Sequence, residues 1–201
     1  MQSKELKRRC PVCKSNTGMD IHSINISLPE ELPIPGRYDV VVCDKCGFAF
    51  ADVDSSQEAY NSYYRDYNVY SACGRIRNDI TIEVNEKRYE VFSKYIDKEL
   101  KIADIGCGSG DWLLYLKKKG YENLYGIDPS VKSVEEIRTK GIEGAIGNIF
   151  DEAPENMAGI FDVICCTMVL EHIYDIRDAV RHLKEYVKED GGMIFVDVPA
   201  V

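Results

Sequence analysis

From residue 101 onward, short apolar runs alternate with segments whose apolar residues recur every three or four positions. Lys101–Ile105 reads as a strand, Trp112–Lys119 as a helix closed by Gly120, and Asn123–Ile127 as a second strand. Val131–Lys140 reads as a helix closed by Gly141, Ile142–Ile146 as a weak third strand, and Phe161–Thr167 as a fourth. Ile176–Lys188 is a further helical pattern and Met193–Val198 a fifth strand. The fourth strand is a continuous apolar run, as expected for a strand covered on both faces. This alternation predicts a parallel sheet with right-handed crossovers, a doubly wound α/β fold. Before it, Ile76, Ile80, Val84, Tyr89, Phe92 and Ile96 recur near a 3.6-residue period and predict a helix over 75–100. The N-terminal part is patterned differently. Tyr38–Val42 and Phe48–Ala51 read as short strands, and Leu28–Gly36, with three prolines, as a loop. The expected organisation is a ribbon over 1–54, a connector and helix over 55–100, and the α/β domain over 101–201.

The first strand breaks into Gly106-Cys-Gly108-Ser-Gly110, and a helical pattern follows. Glycine permits a tight turn and a close approach of backbone to ligand. The next helix offers free N–H groups and a positive dipole end. In a doubly wound sheet, ligands sit beyond the carboxyl ends of the strands, where the strand order switches. The second strand ends on Asp128, 22 residues after Gly106, suited to ribose hydroxyls. The third is followed by Gly147-Asn148-Ile149, and the fourth by Thr167-Met168 and then Leu170-Glu171-His172.

Composition narrows the picture. The 201-residue chain is long enough for one sizeable core and a small appendage, and its formal net charge is −9. That balance argues against a protein that depends on phosphate-backbone contacts, so nucleic acid is not an expected partner. Lys4, Lys7, Arg8, Arg9 and Lys14 cluster near the N-terminus and read as a solvated basic tail. No apolar run reaches the roughly 20 residues of a membrane span, and the charged N-terminus lacks the apolar stretch of a secretory signal. A cytoplasmic location with no membrane partner is the expectation.

Eight cysteines in such a chain point to metal or core packing rather than disulfides. Cys10, Cys13, Cys43 and Cys46 form two Cys-x-x-Cys pairs, 29 residues apart. Four thiolates complete a tetrahedral zinc site with no open position, which makes the site structural. The competing readings are two unrelated thiol pairs or a redox pair. Cys107 reads as a small filler in the loop, and Cys165 and Cys166 as strand core. Tyr60, Tyr63, Tyr64, Tyr67 and Tyr70 fall within eleven residues and do not fit one helix face. They read either as a packing connector or as a lid with hydroxyl handles over a pocket. His22 and His182 read as surface residues.

The Gly-x-Gly-x-Gly loop preceded by Asp104, together with Asp128-Pro-Ser and Leu-Glu-His after the fourth strand, resembles the Rossmann-like S-adenosylmethionine-dependent methyltransferases. The resemblance spans about residues 100 to 198. It implies that Gly106, Gly108 and Gly110 pass beneath the methionine part of the cofactor and that Asp104 supports the loop. It further implies that Asp128 binds the ribose, Asn148 the adenine amino group, and Ile149 the adenine face. The backbone near Thr167 and Met168 would face the sulfonium. Asn148 departs from the aspartate frequent there. With four zinc cysteines and a Tyr-x-x-Tyr segment upstream, the chain also resembles the zinc-containing methyltransferases of sugar biosynthesis. That implies a small, sugar-like substrate and lid roles for the five tyrosines.

His172 is the candidate general base, since a neutral imidazole suits proton removal near pH 7. The resemblance also implies further strands beyond the fifth. The expectations are therefore a sheet lacking its last strands, an open fifth-strand edge, and self-association through that edge. The alternatives to a sugar-directed enzyme are a zinc-ribbon RNA methyltransferase and a cofactor-binding domain without turnover.

Overall fold

Two kinds of sheet account for the two kinds of sequence pattern. The computed structural model describes residues 2–27, 32, 34–60 and 77–199. The chain divides into two compact units, Met1–Cys73 with His172–Arg177, and Gly74–Glu171 with Asp178–Val201.

In the first unit, β1 (Lys4–Glu5), β2 (Thr17–Asn25), β3 (Arg37–Cys43) and β4 (Ala49–Asp52) form an antiparallel sheet in that order. The last two are the expected short strands. β2 carries no alternating pattern, because Asp20–Ser23 are all exposed. Backbone pairing alone makes it a strand, from Gly18 opposite Cys43 to Asn25 opposite Arg37. Gly18 has a steric role there, since a Cβ would stand 2.7 Å from the Val42 carbonyl oxygen. The core is small, comprising Leu6, Cys10, Val41, Cys43 and Phe50. The basic residues are not a solvated tail. Lys4 lies in β1 with its ammonium 2.6 Å from Asp20 and 3.2 Å from Asp39, and the Arg8 side chain is buried. Lys7, Arg9 and Lys14 remain exposed.

The second unit opens with α1 (Arg77–Phe92), which ends earlier than its periodicity predicts and passes into turns. Val84 is exposed, whereas Phe92 and Ile96 are buried, so the packing comes from the C-terminal end of the segment. Phe92 meets Trp112, Tyr121 and Phe195 edge-on at ring separations of 5.3, 5.8 and 5.1 Å.

The chain then runs through β5 (Ile102–Ile105), α2 (Asp111–Lys118), β6 (Leu124–Asp128), α3 (Val131–Thr139) and β7 (Glu143–Ile146). β8 (Val163–Thr167), a 3-10 turn (Leu170–His172), α4 (Ile176–Tyr186) and β9 (Met193–Asp197) follow. The sheet order is β7-β6-β5-β8-β9, and every pairing is parallel. Every residue of β5 and β8 is buried, in keeping with their mostly apolar sequences, Asp104 and Thr167 excepted. The chain builds one side of β5 and then the other, so the strand order switches between β5 and β8. Their carboxyl ends frame the site.

His182 is not the surface residue expected from its type. It is 6% exposed on the α4 face that carries Ala179, Leu183 and Tyr186, and its Nδ1 lies 3.3 Å from Glu185. Helical spacing sets that placement. His22 is exposed. No described helix is long and apolar enough to cross a membrane.

Candidate functional site

The glycine loop is held from β6. The Ile127 carbonyl accepts from the N–H groups of Gly106 at 2.8 Å and Cys107 at 3.2 Å. The Asp128 carboxylate accepts from Gly108 N–H at 2.8 Å and from Ser130 N–H at 2.9 Å. Ser130 also caps α3 through its hydroxyl, which takes the Ser133 N–H at 3.3 Å. Asp128 therefore ties the loop after β5 to the turn after β6. It is 7% exposed, and burial pushes its carboxyl above the usual range against the lowering effect of those N–H groups.

Gly106, Gly108 and Gly110 all adopt left-handed φ angles, 79°, 51° and 77°. A Cβ on Gly106 would stand 2.6 Å from Val169, and one on Gly110 2.6 Å from Ile137. A Cβ on Gly108 would meet nothing within 4 Å among the described residues. The outer glycines are thus demanded by internal packing, while Gly108 borders open space. Gly110 caps α2, and the first bond into that helix runs from Leu114 N–H to Gly110 O at 2.8 Å. The preceding amides of the first turn have no intrahelical acceptor.

Asp104 is 1% exposed in the middle of the sheet, and its Oδ1 has no hydrogen-bond partner among the described residues. Burial pushes its carboxyl up to about 8, opposed by the Arg88 charge, reinforced by Asp128 and relieved by a hydrogen bond with Thr167. An orphaned buried carboxylate oxygen and an open glycine suit a ligand that brings a cation or a hydroxyl. Thr167 is buried at the end of β8, and Met168 beyond it takes a left-handed φ of 57°. Its N–H donates to the Asp197 carbonyl at 2.8 Å.

Sequence reasoning missed Arg88. From α1 it donates through Nε and Nη2 to Asp197 Oδ2 at 2.8 and 2.6 Å, and through Nη1 to Asn85 at 2.7 Å. Its guanidinium lies 5.2 Å from the Trp112 ring centroid. The partners are 109 residues apart in the chain, so no local pattern marked them.

Asn148 is committed to its own turn. Its Oδ1 accepts from the N–H groups of Phe150 at 2.7 Å and Asp151 at 3.1 Å, and its Nδ2 donates to Asp151 at 2.6 Å. Both oxygen lone pairs are engaged, which leaves none for an adenine amino group in this arrangement. Ile149 beside it is buried. His172 lies in the 3-10 turn after β8, and burial lowers its imidazole below the usual value, favouring the neutral form. Burial raises the thiols of Cys107, Cys165 and Cys166, which suits them to packing rather than nucleophilic attack. Tyr60 is half-buried in the first unit, and burial raises its hydroxyl. Tyr63, Tyr64, Tyr67 and Tyr70 lie outside the described residues. A separate cavity of about 390 Å³, lined by Tyr125, Arg138 and Gly141–Gly144, lies toward the amino ends of β6 and β7, away from this loop.

Cys10, Cys13, Cys43 and Cys46 bring their sulfurs within 4.8 Å of one another. The pairs Cys10–Cys46 and Cys13–Cys43 stand at 3.6 and 3.4 Å. Thiolates at about 2.3 Å from a tetrahedral ion would stand about 3.8 Å apart, so the donor set fits one. The knuckles are shaped by Lys14 N–H bonding Cys10 O and Gly47 N–H bonding Cys43 O, each at 2.9 Å. Lys14 and Gly47 both have left-handed φ.

The parallel order β7-β6-β5-β8-β9, with a glycine loop after β5 and an acidic end on β6, defines a Rossmann-like methyltransferase fold. Residues 77–201 match the methyltransferase domain family, and the chain belongs to it. It is similar to the ubiquinone biosynthesis O-methyltransferase of Vibrio campbellii, 32% identical over 118 residues, which are 56% of this chain and 47% of that protein. The protein of the same name from Erwinia tasmaniensis is 28% identical over 100 residues, 47% of this chain and 41% of that protein. The matched region thus spans less than half the length of these two relatives. The solved structure of the plantazolicin methyltransferase BpumL in complex with SAH shares the fold, with a TM-score of 0.53 and 20% identity over 69% of this chain and 56% of that one.

Proposed function

We propose that this chain binds S-adenosylmethionine beyond the carboxyl ends of β5 and β6 and transfers its methyl group to a small, sugar-like acceptor. The observation that carries the proposal is the Asp128–Gly108 bond beneath an open glycine, in a chain of the methyltransferase domain family. The cofactor, when bound, supplies an electrophilic methyl group. Asp128 retains lone pairs for ribose hydroxyls while it holds the loop. Gly108 lets the backbone approach the methionine part, and the orphaned oxygen of Asp104 suits a cationic group. Thr167 and Met168 border the reacting end. Ile149 contributes an apolar wall for adenine, and Asn148 shapes the turn that presents it.

His172 takes the proton of the acceptor, which its lowered imidazole can do near neutral pH. Tyr60, Tyr63, Tyr64, Tyr67 and Tyr70 contribute hydroxyls to the substrate side. The four cysteines hold one structural zinc, which gives the ribbon the stability its small core lacks. β9 pairs only with β8 among the described residues, and Val196 and Val198 are exposed, which supports self-association through that edge.

Oxygen as the methyl acceptor atom is the second reading, favoured by two relatives named ubiquinone biosynthesis O-methyltransferases. Calorimetry with S-adenosylmethionine, followed by methyl-transfer assays on nucleotide-linked sugars and on catechols, tests both. No binding at millimolar cofactor overturns the proposal. Metal analysis expects one zinc per chain, abolished when Cys10 and Cys43 are both changed to serine.

A further inference from the structure

The segment that follows β8 is gripped by the cysteine ribbon. His172–Arg177 belongs to the same compact unit as the ribbon, although His172 is the last residue of the 3-10 turn after β8. Tyr174 is held on three sides. The Arg8 guanidinium lies 3.4 Å from the centroid of its ring, and Arg8 Nη2 donates to its carbonyl. Its own N–H donates to Gln57 Oε1 at 2.6 Å. The next residue, Asp175, pairs with Lys14 at 2.9 Å, and Arg177 donates to the Val12 carbonyl at 3.4 Å.

These holding residues are not scattered over the ribbon. Val12 lies inside the first Cys-x-x-Cys knuckle, Lys14 directly follows it, and Arg8 precedes Cys10 by two residues. Arg8 is itself 9% exposed and takes the Asp52 carboxylate on its backbone N–H at 3.1 Å. A buried arginine whose guanidinium lies 3.4 Å from the Tyr174 ring centroid and 5.7 Å from that of Phe50 is not an exposed, solvated charge.

We infer that the cysteine knuckle is a clamp on the loop after β8, with Arg8 as the positioning residue that sets where His172 stands. An ion on the four thiols would hold the knuckle together, and the knuckle carries Val12 and Lys14, which with Arg8 fix Tyr174, Asp175 and Arg177. His172 is two residues from that anchor. The ribbon thereby does more than stabilise itself: its folding state sets the conformation of residues 172–177, which belong to the same unit. The link to methyl transfer rests on the catalytic reading of His172 given above; the clamp itself does not.

The test compares the metal-loaded protein with the chelated protein and with Arg8→Ala, Arg8→Lys and Tyr174→Leu. Amide hydrogen exchange is read over residues 173–178, with β5 as internal reference, and the imidazole proton resonances of His172 and His182 are followed by NMR. The expected result is at least tenfold faster exchange over 173–178 after chelation and in Arg8→Ala and Tyr174→Leu, with β5 unchanged. The His172 resonance moves while that of His182 does not, and Arg8→Lys restores part of the protection by keeping a cation over the ring. In the assay, kcat falls at unchanged cofactor affinity. Unchanged exchange and an unmoved His172 resonance in Arg8→Ala and Tyr174→Leu overturn the clamp, whatever the metal content. A wild-type chain that fails to bind cofactor overturns the methyltransferase reading instead and leaves the exchange result to decide the clamp.

Discussion

The Asp128 carboxylate accepts the Gly108 N–H at 2.8 Å, so one side chain at the end of β6 shapes the glycine loop after β5. Gly108 donates to Oδ2 and Ser130 to Oδ1, so Asp128→Asn leaves one of these N–H groups facing an amide NH2 that cannot accept. Cofactor affinity should fall roughly 10- to 100-fold, about 1.4 to 2.8 kcal/mol, as read by calorimetry. An affinity within twofold of wild type would show that Asp128 is only a loop brace.

The three glycines separate steric from functional demands. Gly106→Ala drives a Cβ into Val169 and should lower stability by about 2–4 kcal/mol through clash and left-handed strain. Gly108→Ala meets no atom of the described residues and should cost about 1 kcal/mol of stability, yet weaken cofactor binding at least tenfold. Denaturant unfolding and calorimetry on the same pair of variants read the two effects apart. Equal losses of stability and equal losses of binding would sink the distinction.

Asp104 makes stability depend on pH in an unusual direction for a carboxylate. Its folded value of about 8 lies above the unfolded value of about 3.9, so the native state holds the proton more tightly. Its contribution is fully present below about pH 4 and is lost as pH rises toward 8. Asp104→Asn should remove that slope, raising the melting temperature at pH 8 relative to wild type while weakening cofactor binding. Melting curves from pH 5 to 9 check it; a variant less stable than wild type at pH 8 contradicts it.

His172→Gln should lower kcat by roughly 10²- to 10⁴-fold at unchanged cofactor affinity if the imidazole removes the acceptor proton. Because burial lowers its folded value, His172 contributes stability above the unfolded value near 6.5, and this is lost as pH falls through the folded value. Wild-type activity should fall on the same acid side. A kcat within threefold of wild type would assign the base elsewhere.

The elements of the α/β unit were legible because each obeys a local rule. β8 is apolar up to its last residue, Thr167, Gly120 and Gly141 close helices with φ of 92° and 71°, and the Gly-x-Gly-x-Gly spacing marks the loop after β5. The two Cys-x-x-Cys pairs were legible for the same reason, and their sulfurs do converge. β2 was not, because its residues are mostly exposed and only its pairing to β3 makes it a strand. Asn148 was read by position alone, and its hydrogen bonds show an amide that closes its own turn.

Sequence by itself therefore determined the alternation of strand and helix, the glycine loop, the acidic residue after β6 and the four thiols. Each is a pattern among near neighbours, where periodicity and steric demand act directly. Only the tertiary structure decided which groups face one another across the chain. It buried Arg8 against Tyr174, joined Arg88 to Asp197 and enclosed Asp104 with one oxygen that has no partner among the described residues. Those outcomes depend on desolvation and on contacts between residues scores of positions apart, which a linear pattern does not encode.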